Sequence, residues 1–402
     1  MSRPSRVQVT GPLATYSDGF RLELARQGFR ANSASNQLQL LAHASRWLAS
    51  RGLDAGGLTP ARVQEFLDAR RAEGYTLWLS PKAMVPVLGY LRGIGVVPAP
   101  VPATPTTPAD KLIEHYRTYL VTERGLAVGT VTSYLHVARL FLSTRPAEGS
   151  LGLEHLSASE VSGFALAECT TRTVGSAKYI VCGLRALLRF LYVAGFTDRQ
   201  LEAAVPKVAG WRLAGLPKAI GPDDVSRLLA SCDRRSTFGR RDFAVLSILA
   251  RLGLRAGEVA ALELADIDWR AGELVIRGKG RRQERLPLPV DVGDAIAGWL
   301  RRGRPRCECA TVFTRVRAPH QGLSTSGISA IVRAACARSG LPAMNAHRLR
   351  HTAGTEMLRA GASLAEVGQV LRHASVLTTS IYAKVDRSGL RALALPWPRS
   401  AS

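Results

Sequence analysis

The sequence predicts a mainly α-helical protein with a small antiparallel β-sheet: two helical modules in tandem, then a larger C-terminal domain. Three observations support this class. Apolar residues recur at helical spacing through most of the chain. A β-rich pattern is confined to residues 267–288, and a Pro/Thr-rich stretch separates the first module from the rest. The length of 402 residues suits two or three domains, and 46% hydrophobic residues suffice for their cores.

Residues 1–96 form the first predicted module, a candidate for an additional DNA-binding domain. Helical spacing extends from Ser17 to Arg51, a second helix starts at Thr59-Pro60, and a third covers Pro81 to Ile94. Residues 97–108 (VPAPVPATPTTP) form an extended, semi-rigid linker.

Residues 109–210 form the second predicted module, which repeats the helix order of the first loosely. The alternative is that any two amphipathic three-helix modules look alike. Residues 216–390 form the third domain, in which helices surround strands at Ile267–Trp269, Glu273–Ile276 and Arg285–Leu288. A C-terminal tail, 391–402, follows, and a short helix is expected from Arg387 to Leu395.

Charge points to a polyanionic partner. The chain carries a net charge of +23, divided as +6 in residues 1–100, +2 in 101–210 and +15 in 211–402. An Arg-rich composition also follows from a GC-rich genome, which is the alternative explanation.

Neither a secretory signal nor a membrane segment is predicted, and the six scattered cysteines suit a reducing, cytoplasmic setting. The pair Cys307 and Cys309 hints at zinc, but no second Cys/His pair follows at a useful distance. We therefore expect no metal and no cofactor.

A group of cationic and aromatic residues near the C-terminus resembles a phosphate site. Asn345 is placed to cap a helix whose first turn carries His347, with Arg350 on the same face. A helix start favours anions, and the imidazole and guanidinium add to that preference. A second imidazole, His373, and a phenol, Tyr382, follow.

The order of these residues resembles the tyrosine recombinase (phage integrase) family from about Lys111 to the end. The helical part resembles its SAM-like core-binding domain, and residues 216–390 resemble its catalytic domain. The positions that match the family's catalytic residues are Arg255, Lys279, His347, Arg350, His373 and Tyr382. Two positions depart from the family: Arg372 replaces the usual Gly, and Ala256-Gly257 is smaller than usual.

The chemistry of these residue types fits a phosphodiester. Two guanidiniums, Arg255 and Arg350, are suited to hold its oxygens and to compensate the charge that grows during attack. They substitute for the metal ion of other phosphoryl transferases, and no paired carboxylates for Mg²⁺ were found in the sequence.

Tyr382 is the candidate nucleophile, and the family implies a 3′-phosphotyrosyl link and a free 5′-hydroxyl. Lys279 is the expected acid for that hydroxyl, although four arginines crowd the same hairpin and are alternatives: Arg277, Arg281, Arg282 and Arg285. His347 is the expected base or proton shuttle and His373 a donor to phosphate. Glu258 is expected to orient Arg255, and His351 to pack or cap.

The resemblance implies a site-specific DNA recombinase acting in the cytoplasm at the nucleoid. Its expected partner is double-stranded DNA, bound by a homodimer at each site and a homotetramer in the synapse. Accessory DNA-bending proteins or a partner recombinase are further expected partners. A mobile-element integrase is favoured over a Xer-type resolution enzyme; a type IB topoisomerase and a non-catalytic DNA-binding regulator are the remaining alternatives. The tail is expected to dock on a neighbouring protomer or to pack in cis.

Overall fold

The computed structural model describes residues 7–99, 105–146, 149–209, 218–278, 283–373 and 375–385. Within these residues the chain is mainly α-helical with one small antiparallel sheet, as the sequence predicts. Internal contacts divide the chain into two units. Unit 1 combines residues 1–100 with residues 215–402, and unit 2 comprises residues 101–214.

The N-terminal part of unit 1, hereafter the N-terminal module, has four α-helices and its own apolar core, which includes Phe20, Leu41 and Phe66. Its helices are α1 (Ser17–Arg26), α2 (Ala31–Ser50), α3 (Pro60–Ala72) and α4 (Val85–Gly93). The predicted continuous helical stretch from Ser17 to Arg51 is wrong. It breaks at Gly28, whose φ of +80° lies in the left-handed region that glycine adopts without steric cost.

Unit 2 is an all-helical module with a separate apolar core. Its helices are α5 (Pro108–Thr118), α6 (Val128–Leu142), α7 (Ala158–Thr170) and α8 (Val174–Val193), with a π-helical turn at Tyr119–Glu123. Ser157 and Glu160 form a reciprocal cap at the start of α7. The core includes Tyr116, Phe141 and Phe190.

The C-terminal part of unit 1, hereafter the catalytic part, contains the remaining helices and the sheet. Its helices are α9 (Pro222–Ala230), α10 (Thr237–Arg251), α11 (Ala256–Ala261), α12 (Val290–Arg302), α13 (Thr325–Ser339), α14 (Ala346–Arg359), α15 (Leu364–Val370) and α16 (Val376–Thr379). Helix α10 is the centre, because it packs against α9, α11, α12, α13 and α14. Its side chains from Ala244 to Leu249 are buried, whereas Phe238 in its first turn is exposed.

The sheet has three strands in the order β1 (Ile267–Asp268), β2 (Glu273–Arg277) and β3 (Gln283–Pro287). Both pairings are antiparallel, and Val275 lies opposite Arg285. Alternate residues of β2 are buried, so one face of the sheet packs on the core of the catalytic part.

The N-terminal module contacts the catalytic part directly within unit 1. The backbone N–H of His320 donates to the carbonyl oxygen of Gln27 at 3.1 Å, and Arg26 pairs with Glu308 at 2.5 Å. The ring of His320 lies so close to Gly28 that a Cβ atom there would be 2.1 Å from Cδ2 of the ring. These contacts join the N-terminal module to the catalytic part within unit 1.

Candidate active site

Arg350 lies at the centre of the site, on α14. Its side chain is only 2% exposed, and its guanidinium donates to the carbonyl oxygens of Gly253, at 2.7 Å, and Leu371. Gly253 forms the turn between α10 and α11 with a φ of +61°, and a Cβ atom there would meet Leu371 at 2.6 Å. Burial, followed by the charge of Arg255, lowers the pKa of Arg350 to about 10, so the guanidinium remains charged at neutral pH.

Arg255 stands at the N-cap position of α11 and is held by Glu258. Oε1 of Glu258 accepts from the Arg255 guanidinium at 2.6 Å, and Oε2 accepts from its backbone N–H at 2.8 Å. The guanidinium also donates to the carbonyl oxygen of Arg372 at 3.1 Å. The Arg255 side chain is 44% exposed, so a phosphate in solution has access to its charge.

Arg372 is the second partner of the buried Glu258, and the sequence did not indicate this. Its guanidinium donates to Oε2 of Glu258 at 2.8 Å, although its φ of +53° is uncommon for a residue with a side chain. Burial raises the pKa of Glu258, but the Arg255 hydrogen bonds and the Arg372 charge outweigh that effect and leave the pKa below its usual value. The left-handed backbone explains why glycine suits this position.

Tyr382 lies on the 3₁₀ segment Ser380–Val385 with its phenol buried to 1% exposure. Its hydroxyl is 3.1 Å from Nδ1 of His351. Gly354 leaves room for the ring, because a Cβ atom there would be 2.7 Å from Cζ of Tyr382. Burial raises the pKa of Tyr382 to about 12, and the charge of Arg350 opposes that rise. The phenol is therefore protonated at neutral pH.

Two imidazoles, His351 and His373, lie beside the phenol, and a third, His347, adjoins His351. The ring of His373 is parallel to that of Tyr382 at 6.2 Å, and the rings of His347 and His351 are 4.6 Å apart on successive turns of α14. Desolvation, followed by neighbouring positive charge, lowers the pKa of His351 and of His373 to about 4, and the same causes lower the pKa of His347. At neutral pH the rings of His351 and His373 are therefore uncharged and able to accept a proton.

His373 and His347 are held differently. Nδ1 of His373 lies 2.8 Å from the hydroxyl of Thr379, and its backbone N–H donates to Gly368. His347 is exposed in the first turn of α14. Asn345 takes the predicted N-cap position, but its side chain makes no capping hydrogen bond. The first turn therefore retains backbone N–H groups for an anion.

The predicted acid, Lys279, lies outside the described residues, as do Arg281 and Arg282. Two of the alternatives on the same hairpin are engaged with carboxylates. Arg277 pairs with Glu263 and Asp266 at 2.9 and 2.8 Å, and Arg285 pairs with Glu273 at 3.0 Å.

Sequence reasoning assigned His351 to packing or capping and did not anticipate its contact with the Tyr382 hydroxyl. One signal was available: His351 follows His347 by four residues, which places both rings on one face of α14. The predicted positions that the structure brings together around Arg350 are Arg255, Glu258, His347, His373 and Tyr382.

Among the residues that the structure describes, no group of three His, Cys, Asp or Glu side chains is arranged to hold a metal ion. Within those same ranges, each helix is too short or too polar to cross a bilayer.

Comparison with known proteins identifies the family. The sequence profile of the Phage integrase family matches residues 218–388. The "Putative integrase/recombinase y4rA" of Sinorhizobium fredii is 40% identical over 405 residues, covering 100% of this chain and 97% of that protein. The chain belongs to the tyrosine recombinase (phage integrase) family. It is accordingly an enzyme of the site-specific DNA recombinase class.

A second relative shows where the recombinase sequence is shared. The "Tyrosine recombinase XerD" of Listeria monocytogenes is 31% identical over 290 residues, covering 70% of this chain and 96% of the XerD protein. XerD thus matches most of this recombinase but not all of it, whereas y4rA matches it throughout.

Solved structures of recombinases share the fold. A XerH site-specific recombinase bound to palindromic difH substrate matches with a TM-score of 0.56 and 16% identity, covering 82% of this chain and 93% of that one. A lambda integrase dimer bound to a COC′ core site matches with a TM-score of 0.55 and 15% identity, covering 85% and 90%.

Proposed function

We propose that this recombinase breaks and rejoins DNA through a covalent 3′-phosphotyrosyl intermediate at Tyr382 and serves the integration or excision of a mobile element. One observation carries the proposal: Arg350, His351 and His373 lie around the buried phenol of Tyr382, while Arg255 adjoins Arg350 and His347 adjoins His351. Membership of the tyrosine recombinase family supports the reaction class. The residue roles below are argued from the contacts.

Arg255 and Arg350 bind the scissile phosphate in this proposal. A guanidinium has five N–H donors, and Arg350 uses two groups on backbone carbonyls, which fixes its plane and leaves further donors for phosphate oxygens. Arg255 is fixed through Glu258 while its outer face is exposed. Two fixed cations stabilise the charge that develops on the phosphorus oxygens, which is the contribution a metal ion makes elsewhere.

Tyr382 attacks the phosphorus, and its hydroxyl proton passes to an imidazole. The neutral Nδ1 of His351 already lies at hydrogen-bond distance, and His347 is next to it as the base or shuttle that relays the proton to solvent. Because the phenol is buried, the segment Ser380–Val385 has to shift before the oxygen meets DNA. The new O–P bond replaces the bond from phosphorus to the 5′-oxygen, so the energy for rejoining is conserved and ATP is not needed.

Lys279 gives a proton to the departing 5′-oxygen in this scheme. The carboxylate pairs of Arg277 and Arg285 support this choice, because they commit both arginines to the sheet and to the loop before it. The surroundings of a lysine can lower its pKa far enough for the ammonium group to act as an acid. An arginine does not release its proton readily, because the pKa of its guanidinium is much higher. His373 donates to a phosphate oxygen once its contact with Tyr382 is broken.

The DNA partner is a duplex recombination site, bound by a homodimer and then paired in a homotetramer. The net charge of +15 in residues 211–402 supports duplex binding. Among the solved structures of similar fold are a lambda integrase dimer bound to a core site and a tetramer bound to a Holliday junction. Accessory DNA-bending proteins or a partner recombinase would complete the assembly.

The mobile-element role rests on full-length similarity. Two integrase/recombinase proteins of Sinorhizobium fredii, y4rA and y4rF, cover 100% and 98% of this chain, whereas XerD covers 70%. The second candidate is Xer-type resolution of chromosomes or plasmids, which the 31% identity to XerD favours.

A nicked suicide substrate tests the chemistry. The DNA carries the end and flank of the element that encodes the recombinase, and EDTA is present throughout. The wild type should form a covalent protein–DNA complex, and Tyr382→Phe should form none. Tyr192→Phe is the matched control, because Tyr192 is partly exposed and belongs to unit 2. Cleavage by Tyr382→Phe, or loss of wild-type cleavage in EDTA, would refute the mechanism.

A further inference from the structure

The N-terminal module contains a cavity of about 260 Å³ between α2, the end of α3 and the loop that follows α3. His43 and Arg70 line it from the helices, and Tyr75, Thr76 and Trp78 line it from the loop. Among the described residues that line this cavity, none is an aspartate or a glutamate. Arg70 therefore supplies the charge of a lining that otherwise consists of neutral polar and apolar residues.

Arg70 is buried in the wall of this cavity without a counter-ion. Its exposure is 4%, and Tyr75 covers its guanidinium with the ring centre 4.1 Å from Cζ. One terminal nitrogen is 2.9 Å from Nδ1 of His43, another donates to the carbonyl oxygen of Leu77 at 3.4 Å, and Nε has no hydrogen-bond partner. Desolvation, then the charges of Arg70 and Arg46, lower the pKa of His43, so its ring is neutral and accepts that hydrogen bond.

A charge in this position is costly to bury. The desolvation of a guanidinium costs several kcal/mol, which a carboxylate partner or an anionic ligand has to offset. No ion pair recorded for the described ranges includes Arg70, and Glu73 is exposed and acts on it only at a distance. Neutral partners, namely an imidazole, a carbonyl and an aromatic face, leave the positive charge uncompensated.

We infer that this cavity binds a phosphate group, held by Arg70 and flanked by the aromatic side chains of the loop. Phosphate suits the guanidinium, since it accepts several charge-assisted hydrogen bonds at once. Tyr75 and Trp78 supply flat apolar surface for the sugar or base that carries such a phosphate. Trp78 has a φ of +54°, a strained backbone of the kind that accompanies ligand sites.

Thermal unfolding of the full chain in sodium phosphate and in sodium chloride of equal ionic strength tests this site. Phosphate should raise the Tm of the wild type in a saturable way, and Arg70→Gln should reduce that rise to the part that Arg255 and Arg350 contribute. Arg71→Gln is the matched control. It removes the same charge from the next position and a bond to the carbonyl oxygen of Leu79 in the same loop, but Arg71 does not line the cavity.

A second variant avoids the risk that Arg70→Gln does not fold. Thr76→Glu introduces a carboxylate at the cavity, so it should raise the Tm in chloride and reduce the response to phosphate as Arg70→Gln does. Either of two results overturns the inference: a wild type that responds equally to both salts, or a phosphate response that is as large in Arg70→Gln as in the wild type. In both cases Arg70 would serve only to tie the loop to α3.

Binding to duplex DNA at several salt concentrations distinguishes the source of the phosphate. If the group belongs to a DNA strand, Arg70→Gln should make the slope of log affinity against log salt concentration less steep by about 1, which corresponds to the loss of one phosphate contact. Arg71→Gln should change the slope less. An unchanged slope together with an Arg70-dependent Tm response assigns the cavity to a free nucleotide or inorganic phosphate. Neither readout depends on cleavage, so the proposed chemistry at Tyr382 is tested separately.

Discussion

Arg372 permits a quantitative test, because two effects of opposite sign meet at one residue. Its φ of +53° costs a residue with a side chain about 1–2 kcal/mol relative to glycine. Its guanidinium, 4% exposed, forms an ion pair with the buried Glu258 at 2.8 Å, and a hydrogen bond to a charged group contributes about 1.5–3 kcal/mol. Glu258 retains both bonds from Arg255 when Arg372 is removed.

Two substitutions separate these effects. Arg372→Ala loses the ion pair and keeps the strained backbone, so we expect it to lower the free energy of unfolding by about 2 kcal/mol. Arg372→Gly loses the same ion pair but relieves the backbone strain. Part of that gain is offset, because a glycine has more conformational entropy in the unfolded chain. We therefore expect it to be about 1 kcal/mol more stable than the alanine variant.

Urea denaturation of the full chain at pH 7 measures both variants, with an unchanged m-value as the check that only stability differs. An alanine variant as stable as the glycine variant would refute the argument from backbone strain. A wild type no more stable than the alanine variant would refute the contribution of the ion pair.

The same variants have a defined pH dependence. The pKa of Glu258 in the fold lies below its ordinary value of 4.5, so its stabilising contribution is complete above pH 4.5 and is lost as the pH falls through the folded pKa. Removing Arg372 raises the folded pKa. The difference in stability between wild type and either variant should therefore shrink on acidification below pH 4.5, and a constant difference would contradict this linkage.

Three further predictions concern the surroundings of Tyr382 and the N-terminal module. Gly354→Ala places a methyl group 2.7 Å from Cζ of Tyr382 and should displace the phenol, so that tetranitromethane nitrates Tyr382 faster than in the wild type. His373→Gln removes a ring whose pKa is lowered from 6.5 to about 4, so stability should fall less between pH 6.5 and 4. Gly28→Ala should speed proteolysis of the N-terminal module more than Gly95→Ala, since both glycines have positive φ but only Gly28 meets a side chain.

Each of these predictions has a contrary outcome. Equal nitration in both proteins would mean that the phenol is already accessible. An unchanged pH profile in the His373 variant, measured by denaturation at each pH, would mean that the ring is not neutral in the fold. Equal proteolysis of the two alanine variants would mean that the contact with His320 does not hold the module.

The sequence predicted those elements whose positions depend on residues close to one another in the chain. The alternating pattern placed the three strands within two residues of their observed bounds, and the order of charged residues located α14 with His347 and Arg350. The break at Gly28 was missed because apolar spacing continues on both sides of it, so periodicity alone contains no signal of the turn.

Contacts between distant residues were beyond sequence reasoning. The hydroxyl of Tyr382 meets His351 across 31 positions, and Arg372 meets Glu258 across 114. Such pairs depend on how the last segments pack against α14, and no helical or strand period encodes that packing. The burial of Tyr382 depends on the same packing. The sequence therefore indicated Tyr382 as a candidate nucleophile but did not indicate that its phenol is buried.

Because the N-terminal module contacts the catalytic part, cleaving the chain after the module and deleting the module should have different effects. Since residues 1–100 and 215–402 form one unit, the intervening unit 2 is attached to that unit at both of its ends. A single cut between residues 97 and 108 would sever the chain there and still leave the module held by Gln27, Gly28 and Arg26. Two separately produced polypeptides divided at that point should therefore reassemble. Simple deletion, by contrast, uncovers the surface around His320 that the module protects.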